Sequence, residues 1–389
     1  MNFGLYIHIP YCRSICPYCA FATAPLHHAE PARILDALGL ELRVALDGDE
    51  VDRRRPRTLY VGGGTPTALD PASLRRFVAW IRASFDLAAV REWTVEANPE
   101  GLTDEKLAIL VDAGVDRLSI GVQSLEPSVL KTLGRIHTAE RALDAIERAR
   151  RAGIARISAD LMVAVPGETA EGIARGVGAV VASGVTHLSA YSLQIEETTP
   201  FAAKVARGAL SPPGDDAAAD CYALLDSLLL PRGFRHYEVS NYAMPGAESR
   251  HNEGYWIRRP YLGLGPGAHS FDGRRRWANE HDTSRYLARV ERDGLARDGV
   301  TTLGAREAAE EEVFLALRRA RGIRERRLRR LAGAVADRWI AWGEAAGALT
   351  RRPAGRLRPT ALGLLTAHEL AAELFAMADE AGERGSQPK

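Results

Sequence analysis

Short apolar runs alternate with amphipathic stretches over the first 233 residues. The apolar runs are LYIHIP, TLYVGGGTPT, EWTVEANPE, RLSIGVQS, RISADLMVAVPG and HLSAYSLQIEE, and runs of this kind that end in Gly, Pro or a polar residue are typical of buried strands. Several helical stretches between them begin at a plausible N-cap residue, namely Asp70, Thr103 and Thr138. Successive strand–helix units predict a parallel sheet. Because eight units close a full barrel, six predict an α/β fold with a partial (β/α)6 TIM-like barrel over residues 1–233.

The pattern changes after the barrel region. Residues 234–306 are rich in Gly, Pro, His and aromatic residues without a helical period, which predicts a mixed extension of strands and loops that continues or caps the sheet. Residues 307–380 contain basic helical stretches, the hairpin-like GALTRRPAGRLRPT and a last helix. This order predicts a small helical, winged-helix-like domain. We expect residues 381–389 to form a disordered tail.

Composition narrows the class of protein. The chain has 389 residues, of which 46% are hydrophobic and 26% charged, and its formal net charge is +1. No global field therefore attracts nucleic acid. The apolar runs are too short to span a membrane, and the N-terminus lacks the features of a signal peptide. Four cysteines in so long a chain do not make a disulfide framework, so we expect a reducing, cytoplasmic compartment.

Three of the four cysteines are crowded near the N-terminus. Cys12, Cys16 and Cys19 are spaced C-x3-C-x2-C, whereas Cys221 lies in the apolar DCYALLDSLLL and is interpreted as a buried core residue. Thiolates bind soft metals and iron–sulfur clusters. One interpretation is a [4Fe–4S] cluster with three irons held by cysteine and one open to a small molecule.

Two other interpretations of the three cysteines stay open at this point. A zinc ion needs a fourth ligand, which His8, His27 or His28 could supply. The three thiols could also bind no metal.

Polar residues follow or end the predicted strands. They are Glu96, Gln123, Asp160 and Gln194, and in parallel sheets the chemistry lies at the carboxyl ends of the strands. Buried polar groups cost free energy unless they are paired, and the hydroxyl groups of a ribose would pair them. Arg135, in GRIH, could pair with a carboxylate.

The cysteine spacing, with Tyr18 before the last cysteine, resembles the radical S-adenosylmethionine (SAM) superfamily. The motifs YIHIPYC, GGGTPT, EANPE, GVQS, GRIH and HYEVSNYA, within residues 5–271, are similar to those of the HemN/HemW family of oxygen-independent coproporphyrinogen oxidases and their relatives. The resemblance implies a [4Fe–4S] cluster and reductive cleavage of SAM to a 5′-deoxyadenosyl radical, with one or two SAM molecules bound. The SAM contacts that it implies are Tyr6, Tyr18, Gly63, Gly64, Thr65, Glu96, Gln123, Arg135, Asp160 and Gln194.

Two features of the chain point away from the oxidases of this family. The oxidases carry another cysteine two residues past the trio, where this chain has Phe21, and they have a long segment before the first strand, which here begins near Leu5. The sequence HNEGYW, 251–256, matches the H-N-x-x-Y-W motif of the family's heme chaperones. Imidazole is a common heme ligand. Equally, His251 could hydrogen-bond backbone and order a turn.

The resemblance therefore implies a heme-binding chaperone that delivers heme to respiratory hemoproteins. An oxygen-independent coproporphyrinogen III oxidase or a HemN-like radical SAM methyltransferase is the alternative. The family also implies a homodimer. The basic stretch RRARGIRERRLRR either docks an acidic partner or a membrane surface, or is a solvated helix face.

Overall fold

The strand–helix alternation is seen directly in the computed structural model, which describes residues 3–47 and 55–382. Each apolar run predicted to be a strand contains one: β1, β4, β5, β6, β7 and β8. The elements of the barrel region are β1 (Gly4–Ile9), β2 (Tyr11–Cys12), β3 (Ala24–Pro25), α1 (Pro31–Asp47), β4 (Thr58–Gly63), α2 (Pro71–Ser84), β5 (Trp93–Ala97), α3 (Asp104–Ala113), β6 (Arg117–Gln123), α4 (Pro127–Thr132), α5 (Ala139–Arg151), β7 (Arg156–Val163), α6 (Ala170–Ala182), β8 (His187–Ser192), α7 (Pro200–Ala206) and α8 (Asp215–Leu229).

The second half of the chain mixes short strands with helices. Its elements are β9 (Arg235–Glu238), β10 (Asn241–Ala243), α9 (Arg250–Trp256), β11 (Tyr261–Leu264), β12 (His269–Phe271), β13 (Arg275–Asn279), α10 (Thr283–Asp293), β14 (Arg297–Thr302), α11 (Ala305–Leu317), β15 (Ile323–Arg324), α12 (Glu325–Ala332), α13 (Val335–Ala345), β16 (Leu349–Arg352), β17 (Arg356–Pro359), α14 (Ala361–Leu365) and α15 (Ala367–Glu380).

One large sheet forms the barrel. Its strand order is β14-β13-β12-β11-β1-β4-β5-β6-β7-β8-β10-β9. The pairs from β1 to β8 are parallel, and β11 adds a further parallel strand beside β1. Because β14 and β9 remain at the two edges, the sheet is open, and the predicted α/β partial barrel is confirmed.

The two faces of the strands differ in polarity. On β6, Leu118, Ile120 and Val122 are fully buried in the main hydrophobic core between sheet and helices, whereas Ser119 and Gln123 face a cavity. Successive strand residues point to opposite faces, and each fully buried aliphatic side chain stabilises the fold by about 1.5–3 kcal/mol. The strands thus pack through their apolar face and present polar groups inside the barrel.

Residues 234–306 continue the sheet as predicted, but they are not only strands and loops. Helix α9 occupies the HNEGYW motif, and α10 follows β13. Helical periodicity does not predict α9, because this helix has only seven residues. It depends on its N-cap residue Ser249, whose side chain accepts from the backbone N–H of Asn252. Helix α10 buries Tyr286, Leu287 and Val290 along one side. The expectation that this region lacks helices was therefore wrong.

The C-terminal region forms a second core. Helices α11, α12 and α13 alternate with a three-stranded sheet, β15-β17-β16, in a winged-helix-like order. Trp339 is fully buried in its centre, and its Nε1 donates to the Leu370 carbonyl oxygen at 2.9 Å. The predicted domain boundaries stay predictions, and within the predicted tail residues 383–389 lie outside the described residues. Within the described ranges, no helix is both long enough and apolar enough to cross a bilayer.

Candidate functional site

A cavity of about 450 Å3 opens at the carboxyl ends of the parallel strands. Two of the predicted site residues, Tyr6 and His251, do not line it. The others share its wall: Cys12, Cys16, Tyr18, Cys19, Gly63, Gly64, Thr65, Glu96, Gln123, Arg135, Asp160 and Gln194.

The loop that carries the cysteines is closed by the short pair β2 and β3, and Cys19 N donates to Cys16 O at 3.1 Å. His8 anchors the far end of the loop, since its Nε2 donates to Ala22 O at 2.7 Å. Burial lowers the pKa of His8 to about 4, so the imidazole is neutral and its Nδ1 accepts from the Tyr6 hydroxyl at 3.0 Å. Tyr6 therefore supports the cysteine loop from behind.

Arg135 reaches the cysteines from the β6 side of the cavity. Its Nη1 donates to Cys16 Sγ at 3.4 Å, and its Nη2 donates to Asn98 Oδ1 at 2.6 Å and to Gly121 O at 3.1 Å. Its Nε is buried without a hydrogen-bond partner in the described part of the chain. Asn98 also donates to Thr65 Oγ1 at 2.8 Å, so this group holds both the loop after β4 and the guanidinium.

The thiols need a positive partner to ionise. Burial raises the pKa of Cys12 to about 11, and burial also raises the pKa of Cys19.

Within residues 3–47 and 55–382, no three His, Cys, Asp or Glu side chains converge on one point as they would around a single metal ion. A mononuclear zinc requires such convergence. In a [4Fe–4S] cluster each thiolate takes a different iron, so three soft thiols spread along one wall fit it.

The histidines that could have completed a zinc site do not line the cavity. Both ring nitrogens of His8 are hydrogen-bonded to other groups, and His27 and His28 pack against each other outside the cavity. Cys221 lies on α8, where it is partly buried and packs against the main hydrophobic core, so it belongs to the edge of the core as expected but is not fully buried. Among the described residues the cavity therefore offers three thiols and no fourth.

Glu96 lies at the end of β5 and faces the cavity. Its carboxylate accepts from the Tyr60 hydroxyl at 2.6 Å and from Gly63 N at 3.0 Å. Burial raises the pKa of Glu96 to about 7. The glycines of GGGTPT are required by this packing: a Cβ at Gly62 would lie 2.7 Å from the Glu96 carboxyl carbon, and one at Gly64 would lie 2.5 Å from the Pro10 backbone.

Asp160 occupies the corresponding inward position on β7. Ser119 Oγ donates to its two carboxylate oxygens at 2.9 and 2.8 Å, and Ser158 Oγ donates at 3.2 Å. Burial raises the pKa of Asp160. Gln123 adopts φ 63° where β6 breaks register with β7, a conformation uncommon outside glycine. Gln194 is exposed at the mouth, where its Nε2 donates to Ser192 Oγ at 3.1 Å.

Sequence reasoning missed several residues of the cavity wall. They are Tyr60, Asn98, Ser119, Ser158, Ser189 and Tyr191. The strand members share the inward face with Glu96 and Asp160 at a period of two, and that alternation was the available signal. Asn98 follows Glu96 by two positions in EANPE.

His251 lies at the opposite end of the barrel, in α9. Its side chain is buried, its Nδ1 shares a hydrogen bond with Thr58 Oγ1 at 2.9 Å, and its Nε2 shares one with the Tyr255 hydroxyl at 2.8 Å. Burial lowers the pKa of His251 to about 3, so the ring is neutral. Glu92, buried beneath it, accepts from the backbone N–H groups of Arg250 and His251 at 3.0 and 2.9 Å.

Comparison with known proteins agrees with the cysteine cavity. The family model described as Radical SAM superfamily matches residues 6–175. The chain is 40% identical to the heme chaperone HemW of Mycobacterium tuberculosis (strain ATCC 25618 / H37Rv) over 324 residues, which are 82% of this chain and 83% of that protein. Heme chaperone HemW of Bacillus subtilis (strain 168) is 36% identical over 328 residues, 83% of this chain and 85% of that protein. The chain belongs to the HemW family of radical SAM proteins. Membership of the radical SAM superfamily implies a [4Fe–4S] cluster and SAM.

A solved structure extends the HemW likeness to the fold. Coproporphyrinogen III oxidase (HemN) from Escherichia coli, a radical SAM enzyme, superposes with a TM-score of 0.82 at 22% identity, covering 96% of this chain and 90% of that chain. At this identity the likeness establishes the fold alone. The barrel, its extension and the C-terminal helices of this HemW-family chain therefore share one architecture with HemN.

Proposed function

We propose that this protein is a heme chaperone that holds a [4Fe–4S] cluster on Cys12, Cys16 and Cys19 and binds SAM beside it. The observation that carries the proposal is the set of three thiols on the wall of one cavity that also contains Glu96 and Arg135. The relatives that match most of the chain bear the name heme chaperone, and Phe21 stands where the oxidases of the family have another cysteine.

Different residues of the cavity are proposed to bind different groups of SAM. When bound, the cluster supplies an electron to the sulfonium of SAM. Arg135 offers an unpartnered Nε–H to an anionic group, while Glu96 and Asp160 accept from hydroxyl groups. The cysteine loop, anchored by His8, forms one side of the cavity.

Heme is the proposed cargo, and its delivery to respiratory hemoproteins is part of the proposal. The predicted contact of His251 with heme stays a prediction. Direct ligation of iron would require His251 to give up its hydrogen bond to Thr58 or to Tyr255, because neither ring nitrogen is free in this conformation.

The proposal includes a cytoplasmic location and a set of partners. The four cysteines are free thiols, which persist in a reducing cytoplasm. A homodimer and a peripheral membrane contact through the basic C-terminal helices remain predictions, as does the expectation that nucleic acid is not a partner.

The test uses anaerobically reconstituted full-length protein. We expect about four irons and four sulfides per chain, saturable hemin binding and no conversion of coproporphyrinogen III. The Cys16→Ala variant should lose the cluster, with Cys221→Ala as the matched control that keeps it. Anaerobic turnover of coproporphyrinogen III with release of carbon dioxide would replace the chaperone with the alternative, the oxidase. Turnover of SAM to S-adenosylhomocysteine would indicate the methyltransferase.

A further inference from the structure

A second cavity, of about 330 Å3, lies at the amino end of the barrel. It is lined by residues at the start of β4, by Arg91, and by residues in and around α9. Four arginines line it, namely Arg57, Arg91, Arg250 and Arg259. The SAM cavity also reaches the start of α9, at Ser249 and Asn252, but within the described residues no residue lines both cavities.

Two hydrogen bonds join the four arginines in pairs. Arg91 N donates to Arg57 O at 2.8 Å, and Arg259 Nη1 donates to Arg250 O at 3.3 Å. Burial lowers the pKa of Arg259 and the neighbouring charge of Arg57 lowers it further, whereas the more weakly coupled Glu253 and Glu92 raise it. The cluster therefore concentrates like charges that repel one another, and an anion between them would relieve that repulsion.

The acidic residues around this cavity are engaged elsewhere. Glu253 forms an ion pair with Arg319, and Glu248 accepts from Gly246 N at 2.9 Å. Within residues 3–47 and 55–382, no carboxylate lies at ion-pair distance from any of the four guanidinium groups. By contrast, Arg75, on the surface of α2, pairs with Glu105 at 2.7 Å.

We propose that the arginine cavity binds a phosphate group, carried either by a soluble phosphate ester or by an anionic lipid headgroup. Guanidinium groups present planar pairs of N–H donors that match phosphate oxygens, and a tetrahedral phosphate can accept from several arginines at once. SAM and heme contain no phosphate, so this ligand is distinct from both. The inference does not depend on the proposed heme function.

The first experiment titrates inorganic pyrophosphate into the reconstituted holoprotein by calorimetry. We expect one saturable site, and the Arg57→Gln/Arg259→Gln variant should bind about tenfold or more weakly, because two charged hydrogen-bond donors are lost. Arg75→Gln is the matched control and should bind as wild type does. Cluster content and the melting midpoint show that both variants are folded.

The second experiment identifies the carrier of the phosphate. Sedimentation with phosphatidylglycerol vesicles, compared with phosphatidylcholine vesicles, tests a lipid headgroup, and pyrophosphate should displace the protein from the former. Binding of pyrophosphate without binding to vesicles assigns a soluble ester. If neither probe binds, or if the folded double variant binds both as wild type does, the proposal is overturned.

Discussion

The two ends of the barrel differ in how the side chains of their sequence motifs are bonded. At the carboxyl end, three free thiols and an unpartnered Arg135 Nε border a cavity of about 450 Å3. At the amino end, the motif HNEGYW forms a helix whose histidine uses both ring nitrogens on protein partners; Trp256 Nε1 of the same helix has no hydrogen-bond partner among the described residues, but it does not line the cavity. A buried polar atom without a partner costs about 1–3 kcal/mol, so such an atom on a cavity wall is a candidate ligand contact. A fully bonded one marks a place that holds the fold together.

This difference separates the roles of two motifs that look equally functional in the sequence. Substitutions at the carboxyl end should change cofactor binding with little change in the free energy of unfolding. Substitutions around α9 should do the reverse. Each variant below is therefore measured for both properties.

The largest effect is expected for Glu92→Gln. The buried carboxylate of Glu92 pairs with Arg156 at 3.3 Å, lies 4.0 Å from Arg117, and accepts from the first N–H groups of α9. Its neutralisation leaves the buried Arg117 uncompensated, so we expect the free energy of unfolding to fall by about 3–5 kcal/mol. Urea denaturation measures it. Glu105→Gln, which removes a surface ion pair, is the control and should cost at most about 1 kcal/mol.

His251→Gln should cost about 2 kcal/mol at pH 7.5, because two buried hydrogen bonds are disturbed. The pH dependence carries a further signature. Since the pKa of His251 is about 3 in the folded protein and about 6.5 unfolded, the unfolded chain binds the extra proton between these values. The stability advantage of wild type over the variant should therefore shrink by about 1.4 kcal/mol per pH unit below 6.5. A constant gap down to pH 5 contradicts a buried neutral imidazole.

The His251→Gln variant also tests whether the amino end of the barrel takes part in heme binding. Folded variant should bind hemin within about twofold of wild type, a change of roughly 0.4 kcal/mol. A loss of tenfold or more would show that the amino end takes part in heme binding after all.

Arg135→Gln should weaken SAM binding about tenfold, because the charged donor in the cavity is lost. Equilibrium dialysis of the anaerobic protein measures the affinity, and urea denaturation measures separately the stability lost with the hydrogen bonds to Asn98 and Gly121. Arg135→Lys keeps the charge without the planar fork and should lie between the two. Equal SAM affinity in all three proteins would remove Arg135 from the site.

Tyr6→Phe should have the smallest effect. It removes the hydroxyl that donates to His8 Nδ1 and should cost about 1 kcal/mol in the free energy of unfolding. SAM affinity should stay within about twofold of wild type, because Tyr6 does not line the cavity. A larger loss of affinity would return Tyr6 to the set of SAM contacts.

Local patterns were enough for most of the barrel. The strands from β1 to β8 are apolar runs with clear ends, and their parallel pairing follows from the intervening helices. The parallel strand β11 was not foreseen because YLGL is a short run among glycines, and its pairing with β1 joins distant parts of the chain. Helix α9 has a local signal in its cap, Ser249, but its first N–H groups are also bound by Glu92, a residue remote in sequence that no window around HNEGYW contains.

In the candidate site, too, some residues could be predicted from local patterns and others could not. Polar residues at strand ends pointed to Glu96 and Asp160 because their expected position follows from strand periodicity. Strand periodicity could not predict the role of Tyr6. Its side chain points inward, but its hydroxyl group contacts His8 and the residue does not line the cavity. The SAM contacts implied at Gly63 and Gly64 stay predictions, and periodicity gave no sign that Gly62 and Gly64 also make room for Glu96 and for the Pro10 backbone.

The position of β1 has a consequence for synthesis on the ribosome. β1 is made first, yet it lies in the middle of the sheet, with one edge on β4 and the other on β11, whose pairing begins at Tyr261. The edge that faces β11 therefore stays unpaired until most of the polypeptide has emerged, and unpaired edges invite association between chains. Translation speed and nascent-chain binding factors should accordingly govern the yield of folded protein more strongly than its equilibrium stability does.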